Sequence, residues 1–374
     1  MKITQVEATM HRVATQVPLL EAPVVRKFLL VRIETDSGIV GWGLTAGSQR
    51  YVVQNMINNE CRELLVGTDP LATERRFDEL QAKLNARAQT GAFSSALSAI
   101  DIGLWDIKGK DAGRPVWQLL GGYSNTVPAY TTFGLRAYSR EQLGEVAKEL
   151  VGKGHDKLKI RVGEYGNGEA PDEDAARVIA VREAVGDGVQ LMLDANYKFK
   201  LPHAMRLCQL LEPYGITWLE EPVWGNDPRL LAILRRKTSI PISAGQNEGS
   251  LARHRELLMN EAVDILQPNV VHLGGYTEGA KVAALASAWN TPIANGGGWP
   301  LYNMHLQGAV ANGWRVEFHM DVWNSAPMIY RDPPLPENGV LRLPDAPGLG
   351  LEIREDGFQE SLETVERHQP AGAR

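Results

Sequence analysis

The sequence contains few cysteines, no long apolar run and no excess of positive charge, and each of these absences excludes a class of protein. Only two of the 374 residues are cysteines, Cys61 and Cys208, so a disulfide scaffold and a cysteine-rich zinc site are excluded. No stretch of about 18 uncharged apolar residues is available to span a bilayer. Lys and Arg number 39 against 45 Asp and Glu, which argues against nucleic acid or a membrane as the main partner.

Two further signals are missing near the start of the chain. The N-terminus lacks the apolar centre of a signal peptide, and with the low cysteine content this predicts a cytoplasmic protein. A Gly-rich turn that opens a helix after the first strand is also absent, which argues against a doubly wound dinucleotide-binding sheet.

The first 126 residues predict an α+β domain. Alternating apolar and polar residues predict an antiparallel hairpin with a long connection, and apolar residues at helical spacing follow it. The predicted strands cover 1–13 and 28–35, the connection 14–26, and the helices about 50–65, 70–88 and 96–113.

From residue 127 onward, strand-like apolar runs alternate with helical patterns. Eight such runs in about 190 residues are typical of a TIM barrel, here of the (β/α)7β type. The runs are AYTTFG, KLKIRVG, VQLMLDAN, ITWLEEP, IPISAGQ, AVDILQP, TPIANGG and WRVEF. The Pro- and Gly-rich tail is predicted to pack back on the N-terminal region. We therefore predict an α/β fold, a modified TIM barrel over 127–320, with a capping domain formed by 1–126 and a tail over 321–374.

Polar side chains end the predicted barrel strands, and the carboxyl ends of these strands form one mouth. Asp194 and Glu220 end neighbouring strands, and two facing carboxylates favour a hard divalent cation between them. The alternative is that one caps a helix and the other is a charge on the rim. The full set of strand-end residues is Lys159 or Arg161, Asp194, Glu220, Gln246, Asn269, Asn295 or Gly296, and Glu317.

The run KLKIR carries Lys157, Lys159 and Arg161 on one face of a strand. An exposed edge strand with solvated charges would show the same pattern. On the second strand of a barrel, however, these cations would lie beside the carboxylates. A lysine between Arg161 and a divalent cation should have a depressed pKa and could act as a base near neutral pH.

Several motifs together resemble the enolase superfamily, in its mandelate-racemase-like branch. They are LDAN, WLEEP, the lysine strand ending in VG, VEF, PGLGLEI, and the segment AIDIGLWDIKGKDAGRPVWQLLGG. Their order and spacing extend over essentially the whole chain. The resemblance implies a capped barrel, a Mg²⁺ ion, a small carboxylate substrate and a homo-oligomer. It also implies removal of the proton alpha to the carboxylate, which gives a metal-stabilised enolate.

The resemblance assigns roles to residues at the mouth. Asp194 and Glu220 match the first two metal ligands, and Gln246 stands where the third ligand is usually glutamate. Glu248 is an alternative ligand, and a structural glutamine is the alternative role for Gln246. Glu317 matches the glutamate that binds an oxygen of the substrate carboxylate.

The lysine strand departs from the family pattern of lysine–x–lysine. Aligned on the following VG, the pair is Lys159 and Arg161, and arginine is a poor base. A shift by two residues makes the pair Lys157 and Lys159 but moves it about 7 Å along the strand. In both alignments Lys159 belongs to the pair, and we predict that it is the base, tuned by Arg161.

The family's His–Asp dyad is also missing, because its positions fall on Asn269 and near Gly296. A racemase needs acid–base groups on both faces of the α carbon, whereas a lyase needs one base and a donor for the departing hydroxyl. Elimination is therefore favoured. Candidate donors are Lys198, Tyr197, Tyr165 and His305.

Substrate contacts are predicted from the mouth and from the connection in the hairpin. The GGGW run at 296–299 offers backbone N–H groups to an anion, although a plain turn is the alternative. Charges in and next to the connection, at Glu21, Arg26 and Lys27, suggest a hydroxylated acid. The predicted contacts are Asn196, Asn269, Asn295, Gly297, Trp299 and Arg26.

The sequence thus predicts a magnesium-dependent dehydratase that converts a sugar acid or related hydroxy acid into a 2-keto-3-deoxy acid. A racemase, epimerase or cycloisomerase of the same superfamily is the first alternative. The second alternative is a barrel that has lost catalysis and only binds an acid or a partner protein.

Overall fold

Three antiparallel strands open the chain and form the sheet of the cap. The computed structural model, which describes residues 1–84 and 90–363, has the strand order β1 (Ile3–Thr15), β2 (Val24–Thr35), β3 (Val40–Ala46). The predicted hairpin is confirmed, but its strands are longer than predicted. Thr15 pairs with Val24, so the connection covers only 16–23. Arg26 and Lys27 therefore belong to β2 and not to a loop.

Helices cover one face of this sheet. The helix predicted over 50–65 is confirmed as a continuous helical segment with a π-helical turn at Ile57–Cys61. The segment predicted over 70–88 begins at Thr73, and its last four residues lie outside the described residues. The helices of the cap are α1 (Arg50–Met56), α2 (Arg62–Leu65), α3 (Thr73–Leu84), α4 (Ala92–Asp111) and α5 (Val116–Leu119).

Helix α4 packs between the cap sheet and the barrel, so most of its residues are buried. Its contact with β3 is very close, since a Cβ at Gly43 would collide with the backbone carbonyl of Ala99. On the other side, Asp101 of α4 accepts hydrogen bonds from the backbone N (3.0 Å) and Oγ1 (2.5 Å) of Thr277 in the barrel. This buried helix thus links the cap sheet to the barrel.

All eight predicted barrel strands are present and parallel, and the last pairs with the first to close the barrel. The strands are β4 (Thr126–Gly134), β5 (Lys157–Arg161), β6 (Gln190–Asp194), β7 (Ile216–Glu220), β8 (Ile242–Ala244), β9 (Ile265–Leu266), β10 (Ile293–Ala294) and β11 (Gly313–His319). The helices between them are α6 (Arg140–Gly152), α7 (Pro171–Val185), α8 (Leu201–Leu211), α9 (Pro228–Arg235), α10 (Leu251–Met259), α11 (Gly275–Ala288) and α12 (Pro300–Ala309).

Large side chains fill the barrel interior below the mouth. Tyr130, Met192, Trp218, Ile265 and Ala294 form a separate buried cluster there. The barrel is therefore a packed core with a site on top and not a pore.

The tail returns along the molecule and contacts both the cap and the barrel. Its strand β13 pairs with the start of β4, β12 pairs with β14, and α14 packs on β1. The backbone N–H of Glu363 donates to the carbonyl of Met10 at 2.8 Å. The elements are α13 (Val322–Ile329), β12 (Tyr330–Arg331), β13 (Val340–Arg342), β14 (Glu352–Ile353) and α14 (Glu355–Ser361).

The predicted fold class, a modified TIM barrel capped by the N-terminal region and the tail, is thereby confirmed. Within residues 1–84 and 90–363, no helix combines the length and apolar character that a membrane crossing requires.

Candidate active site

A cavity of about 400 Å³ opens at the carboxyl ends of the barrel strands and extends to the cap. The cap contributes Arg26 of β2 and Val17 of the hairpin connection. This is the position at which TIM barrels carry their active sites. The polar barrel residues that line it are Thr132, Arg161, Asp194, Asn196, Gln246, Asn247, His272, His319 and Asp321.

Lys159 lies just beneath the cavity at the centre of the charged residues. Its Nζ is 2.7 Å from Glu317 Oε1, 2.8 Å from Glu220 Oε2 and 3.3 Å from Asp194 Oδ2. Burial alone would lower the Lys159 pKa, but the carboxylates raise it well above its ordinary value. The depressed pKa predicted from the sequence presupposes a divalent cation beside Lys159, so it stays a prediction.

The three carboxylates around Lys159 leave an excess of negative charge. Burial raises the pKa of Glu220 well above its ordinary value, although Lys159 acts in the opposite direction. One oxygen of this carboxylate, Oε1, is buried and has no hydrogen-bond partner within the described part of the chain. A Cβ at Gly296 would lie 2.9 Å from it, so any larger residue at that position would crowd this oxygen.

Gln246 is held by a carboxylate that the sequence analysis missed. Its Nε2 donates to Glu221 Oε2 at 2.8 Å, which turns its Oε1 towards Gly297, where a Cβ would lie 3.2 Å away. Glu221 also accepts from Tyr197 Oη at 2.8 Å and Asn226 Nδ2 at 3.0 Å. Burial raises the pKa of Glu221 to about 7. The sequence signal that could have identified Glu221 is its position as the second glutamate of WLEEP.

Glu248 is turned away from this group, which contradicts its predicted role as an alternative ligand. Its Oε2 accepts from Arg253 Nε at 2.9 Å and its Oε1 accepts from Asn226 Nδ2 at 3.1 Å. Both oxygens therefore already have a donor.

Asp194, Glu220 and Gln246 fit a hard divalent cation. All three present oxygen donors, the surrounding carboxylates outnumber the one ammonium, and one buried oxygen of Glu220 is unpaired. Among the described residues, no cluster of three or more His, Cys, Asp or Glu side chains is arranged for a metal. The proposed ligands Asp194, Glu220 and Gln246 are not such a cluster, because Gln246 provides an amide oxygen.

The lysine strand has the register in which the pair is Lys159 and Arg161. Lys157 lies at the amino end of β5, where its Nζ contacts Asp156 Oδ1 at 2.6 Å, so its predicted catalytic role is wrong. Arg161 lines the cavity and pairs with Glu164.

Asn269 and Asn295 are buried and hold the GGGW backbone, so their prediction as substrate contacts is wrong. Asn269 Nδ2 donates to the Gly296 carbonyl at 2.8 Å, and its Oδ1 accepts from Asn303 Nδ2 at 2.9 Å. Asn295 Nδ2 donates to the same carbonyl, and its Oδ1 accepts from the Glu317 backbone at 3.1 Å. These amides fix the turn instead of facing the cavity.

The remaining predicted contacts do line the cavity. Asn196 and Gly297 lie at its barrel side, and Trp299 lies where barrel and cap meet. The guanidinium of Arg26 lies 5.0 Å from the Trp299 ring centre, and its Nε and Nη2 donate to Asp321.

Two histidines of the cavity, His272 and His319, were not predicted from the sequence. His272 follows β9, and His319 ends β11 with its Nε2 3.3 Å from Glu317 Oε1. Burial lowers the pKa of His272 to about 4. The four donors predicted instead are not among the described lining residues of the cavity. Tyr197 bonds to Glu221, Tyr165 to the Arg136 carbonyl, and His305 to the Leu349 carbonyl.

Comparisons with known proteins agree with this geometry. The family model described as "Enolase C-terminal domain-like" matches residues 142–357. The model described as "Mandelate racemase / muconate lactonizing enzyme, N-terminal domain" matches residues 5–121. Together they cover the cap and the barrel.

Individual relatives extend over nearly the whole chain. A D-galactarolactone cycloisomerase of Agrobacterium fabrum is 33% identical, covering 90% of this chain and 91% of its own. An arabinonate dehydratase of Saccharolobus solfataricus is 31% identical, covering 89% and 90%. The crystal structure of a racemase from Streptomyces coelicolor with bound magnesium has a TM-score of 0.87 at 28% identity, covering 96% of this chain and 98% of its own. The chain therefore belongs to the enolase superfamily, as an enzyme of the mandelate racemase and muconate lactonizing enzyme group.

Proposed function

We propose that this enzyme is a magnesium-dependent lyase that dehydrates a sugar acid or a related hydroxy acid. The observation that carries the proposal is the position of Lys159 under the cavity, among Asp194, Glu220 and Glu317. This group places the lysine that we propose as the base next to oxygen ligands for a cation. The arabinonate dehydratase relative acts as a precedent for the reaction class.

Binding of the acid is assigned to groups that line the cavity. Arg161 carries a permanent positive charge there, so it would pair with the substrate carboxylate. Asn196, Gln246 and Asn247 add amides that would bind hydroxyl groups. The polar character of this wall supports a hydroxylated acid and argues against an apolar one.

The chemical step is assigned to Lys159, whose Nζ would take the proton alpha to the carboxylate. Magnesium held by Asp194, Glu220 and Gln246 would supply the positive charge that stabilises the enolate oxygens and lowers the pKa of the neighbouring lysine. Glu317 would hold Lys159 in place through its Oε1. Loss of the β-hydroxyl and tautomerisation of the enol then give a 2-keto-3-deoxy acid.

Isomerisation is the second candidate, and the position of His272 favours it. In a barrel of eight strands, β9 lies opposite β5, so His272 stands across the mouth from Arg161. At its lowered pKa this imidazole is neutral at pH 7 and could exchange a proton on the second face of the α carbon. The cycloisomerase relative from Agrobacterium fabrum agrees with this candidate.

The test is to incubate the enzyme with magnesium and a pool of C5 and C6 aldonates and aldarates in deuterium oxide, and to read the mixture by mass spectrometry. Loss of water from one acid would support the lyase and identify its substrate. Gain of one deuteron without loss of water would favour the isomerase. If no acid changes, but an acid binds equally well to the wild type and to Lys159→Met, the non-catalytic alternative gains support.

The homo-oligomer, the cytoplasmic location and the domain boundaries at 126/127 and 320/321 stay predictions. A small carboxylic acid is the partner that we propose.

A further inference from the structure

The glycine turn at 296–298 stands where the family usually has a histidine. Another histidine, His319, packs against this turn. Gly298 has φ 72°, and a Cβ at this position would lie 3.2 Å from His319 Nε2 and 3.4 Å from its Cδ2. The imidazole therefore lies directly against the glycine turn after β10, although it comes from the end of β11. A side chain on this turn would compete with it for space.

His319 also has a carboxylate partner. It lies two residues after Glu317, so both side chains point to the same side of the strand. Its Nε2 is 3.3 Å from Glu317 Oε1, and 34% of its side chain is exposed. The imidazole thus has one edge on a buried carboxylate and another in the cavity.

Glu317 is itself held rigidly. Its Oε2 accepts from the backbone N–H of Gly298 at 2.7 Å, and its Oε1 contacts Lys159 Nζ at 2.7 Å and Thr132 Oγ1. Burial alone would raise the pKa of Glu317, but Lys159 and His319 lower it well below its ordinary value. The carboxylate is therefore ionised and able to orient the imidazole.

We propose that His319 is the catalytic acid of the elimination and that the His319–Glu317 pair takes the place of the missing His–Asp dyad. This inference rests on the proposed dehydration, for which it names the group that protonates the departing hydroxyl. Lys159 would act on the α carbon and His319 on the departing hydroxyl, with Glu317 between them in contact with both.

The step balances in atoms and electrons. Lys159 Nζ takes the α proton, and the C–H electron pair forms the enolate double bond between the α carbon and the carboxylate carbon. In a second step the β C–O bond breaks, and this electron pair forms the double bond between the α and β carbons. The hydroxyl leaves with a proton from the His319 imidazolium as water. The imidazole then takes up a proton from solvent, and Lys159 releases the α proton to solvent. The enol gains a proton at the β carbon and loses its O–H proton to become the keto acid.

Neighbouring charges do not replace His319 in this role. Asp321 lines the same wall, but both its oxygens are bound by the fork of Arg26. His272 comes from β9, on another side of the mouth. These two imidazoles can therefore be tested against each other.

The experiment compares the wild type with His319→Asn, His272→Asn and a control, His203→Asn on the outer helix α8. Each protein is given magnesium and the aldonate or aldarate that the pooled screen identifies, in deuterium oxide. Elimination is followed as keto acid, and α-proton exchange as deuterium in the recovered substrate. For His319→Asn, we expect elimination to fall at least about 100-fold, while exchange stays within about threefold.

Three outcomes would overturn the inference. Unchanged elimination would show that His319 is not needed, and equal loss of elimination and exchange would show that it only supports the site. Selective loss of elimination in His272→Asn instead would assign the acid to the other histidine. If the wild type converts no acid at all, the proposed dehydration fails and this inference fails with it. An active wild type with an unaffected His319→Asn variant would instead contradict only the role of His319.

Discussion

Arg26 binds Asp321 through two hydrogen bonds and so joins the cap to the end of the last barrel strand. The Nε to Oδ2 distance is 2.8 Å and the Nη2 to Oδ1 distance is 2.9 Å. Arg26 lies in the second strand of the cap, and Asp321 follows β11 by two residues. Both residues line one wall of the cavity. The position of the cap on the barrel therefore affects the shape of the site.

Arg26→Met should lower the free energy of unfolding by about 2–4 kcal/mol, because it leaves Asp321 largely buried without a counter-charge. Burial alone would raise the Asp321 pKa, but Arg26 lowers it. The stabilisation is therefore present above the unfolded pKa of about 4 and is lost as pH falls through the lower folded value. Urea unfolding at pH 7 and below pH 4 measures it, with the exposed Lys27→Met as the control. An equal effect at both pH values would contradict the ion-pair explanation.

Glu221→Gln should make the protein less sensitive to pH between about 4.5 and 7. The folded pKa of Glu221 is raised to about 7, so in this range the native state binds more protons than the unfolded chain, and stability falls as pH rises. The shift corresponds to about 3 kcal/mol. Thermal unfolding across this range, compared between wild type and variant, measures the difference. Parallel curves for the two proteins would show that Glu221 is ionised throughout.

Magnesium should raise the melting temperature of the wild type, since a ligand that binds only the folded state stabilises it by about 2.7 kcal/mol at 100 times its Kd. Asp194→Asn should abolish most of this shift, because it removes a charged ligand from the proposed set. Glu248→Gln is the matched control, since its carboxylate is bound by Arg253 and Asn226. A magnesium shift of the same size in all three proteins would place the ion elsewhere.

Gly298→Ala should slow elimination by about tenfold, because the added methyl group displaces the His319 ring by a few tenths of an ångström. It should also cost about 1 kcal/mol of stability, since the backbone at Gly298 is left-handed. Gly67→Ala separates the two effects, because Gly67 has φ 83° and no atom within 4 Å of its added Cβ. Equal elimination rates in both variants would show that contact with His319 has no role.

The positions of residues at or near the ends of barrel strands could be predicted from the sequence. Asp194 and Glu220 follow apolar runs one repeat apart, and Lys159 alternates with buried aliphatic residues, so period and register placed them in one ring. The same pattern placed Gln246 at the end of the next strand, and the resemblance to the family gave it the role of third metal ligand. The geometry agrees with all four positions, although their roles remain proposals.

Other residues could not be assigned because their partners are distant in sequence. Asn269 and Asn295 stand at strand ends like ligands, but their amides are used on the backbone of the GGGW turn. Glu221 follows a metal-ligand candidate and looks redundant, yet it holds Gln246, 25 residues away. A pattern of residue types does not say which hydrogen bonds a side chain has already made.

The sequence by itself determined the capped barrel, the ring of strand-end residues and the family, because periodicity fixes which residues share a face and a closed barrel brings all strand ends to one mouth. Only the tertiary structure decided which of these groups are free. Lys159 is surrounded by three carboxylates, Glu248 is bound by Arg253, and His319 lies against Gly298. The physical reason is that charge, burial and hydrogen-bond occupancy depend on neighbours brought together by folding, and these set what each group can do.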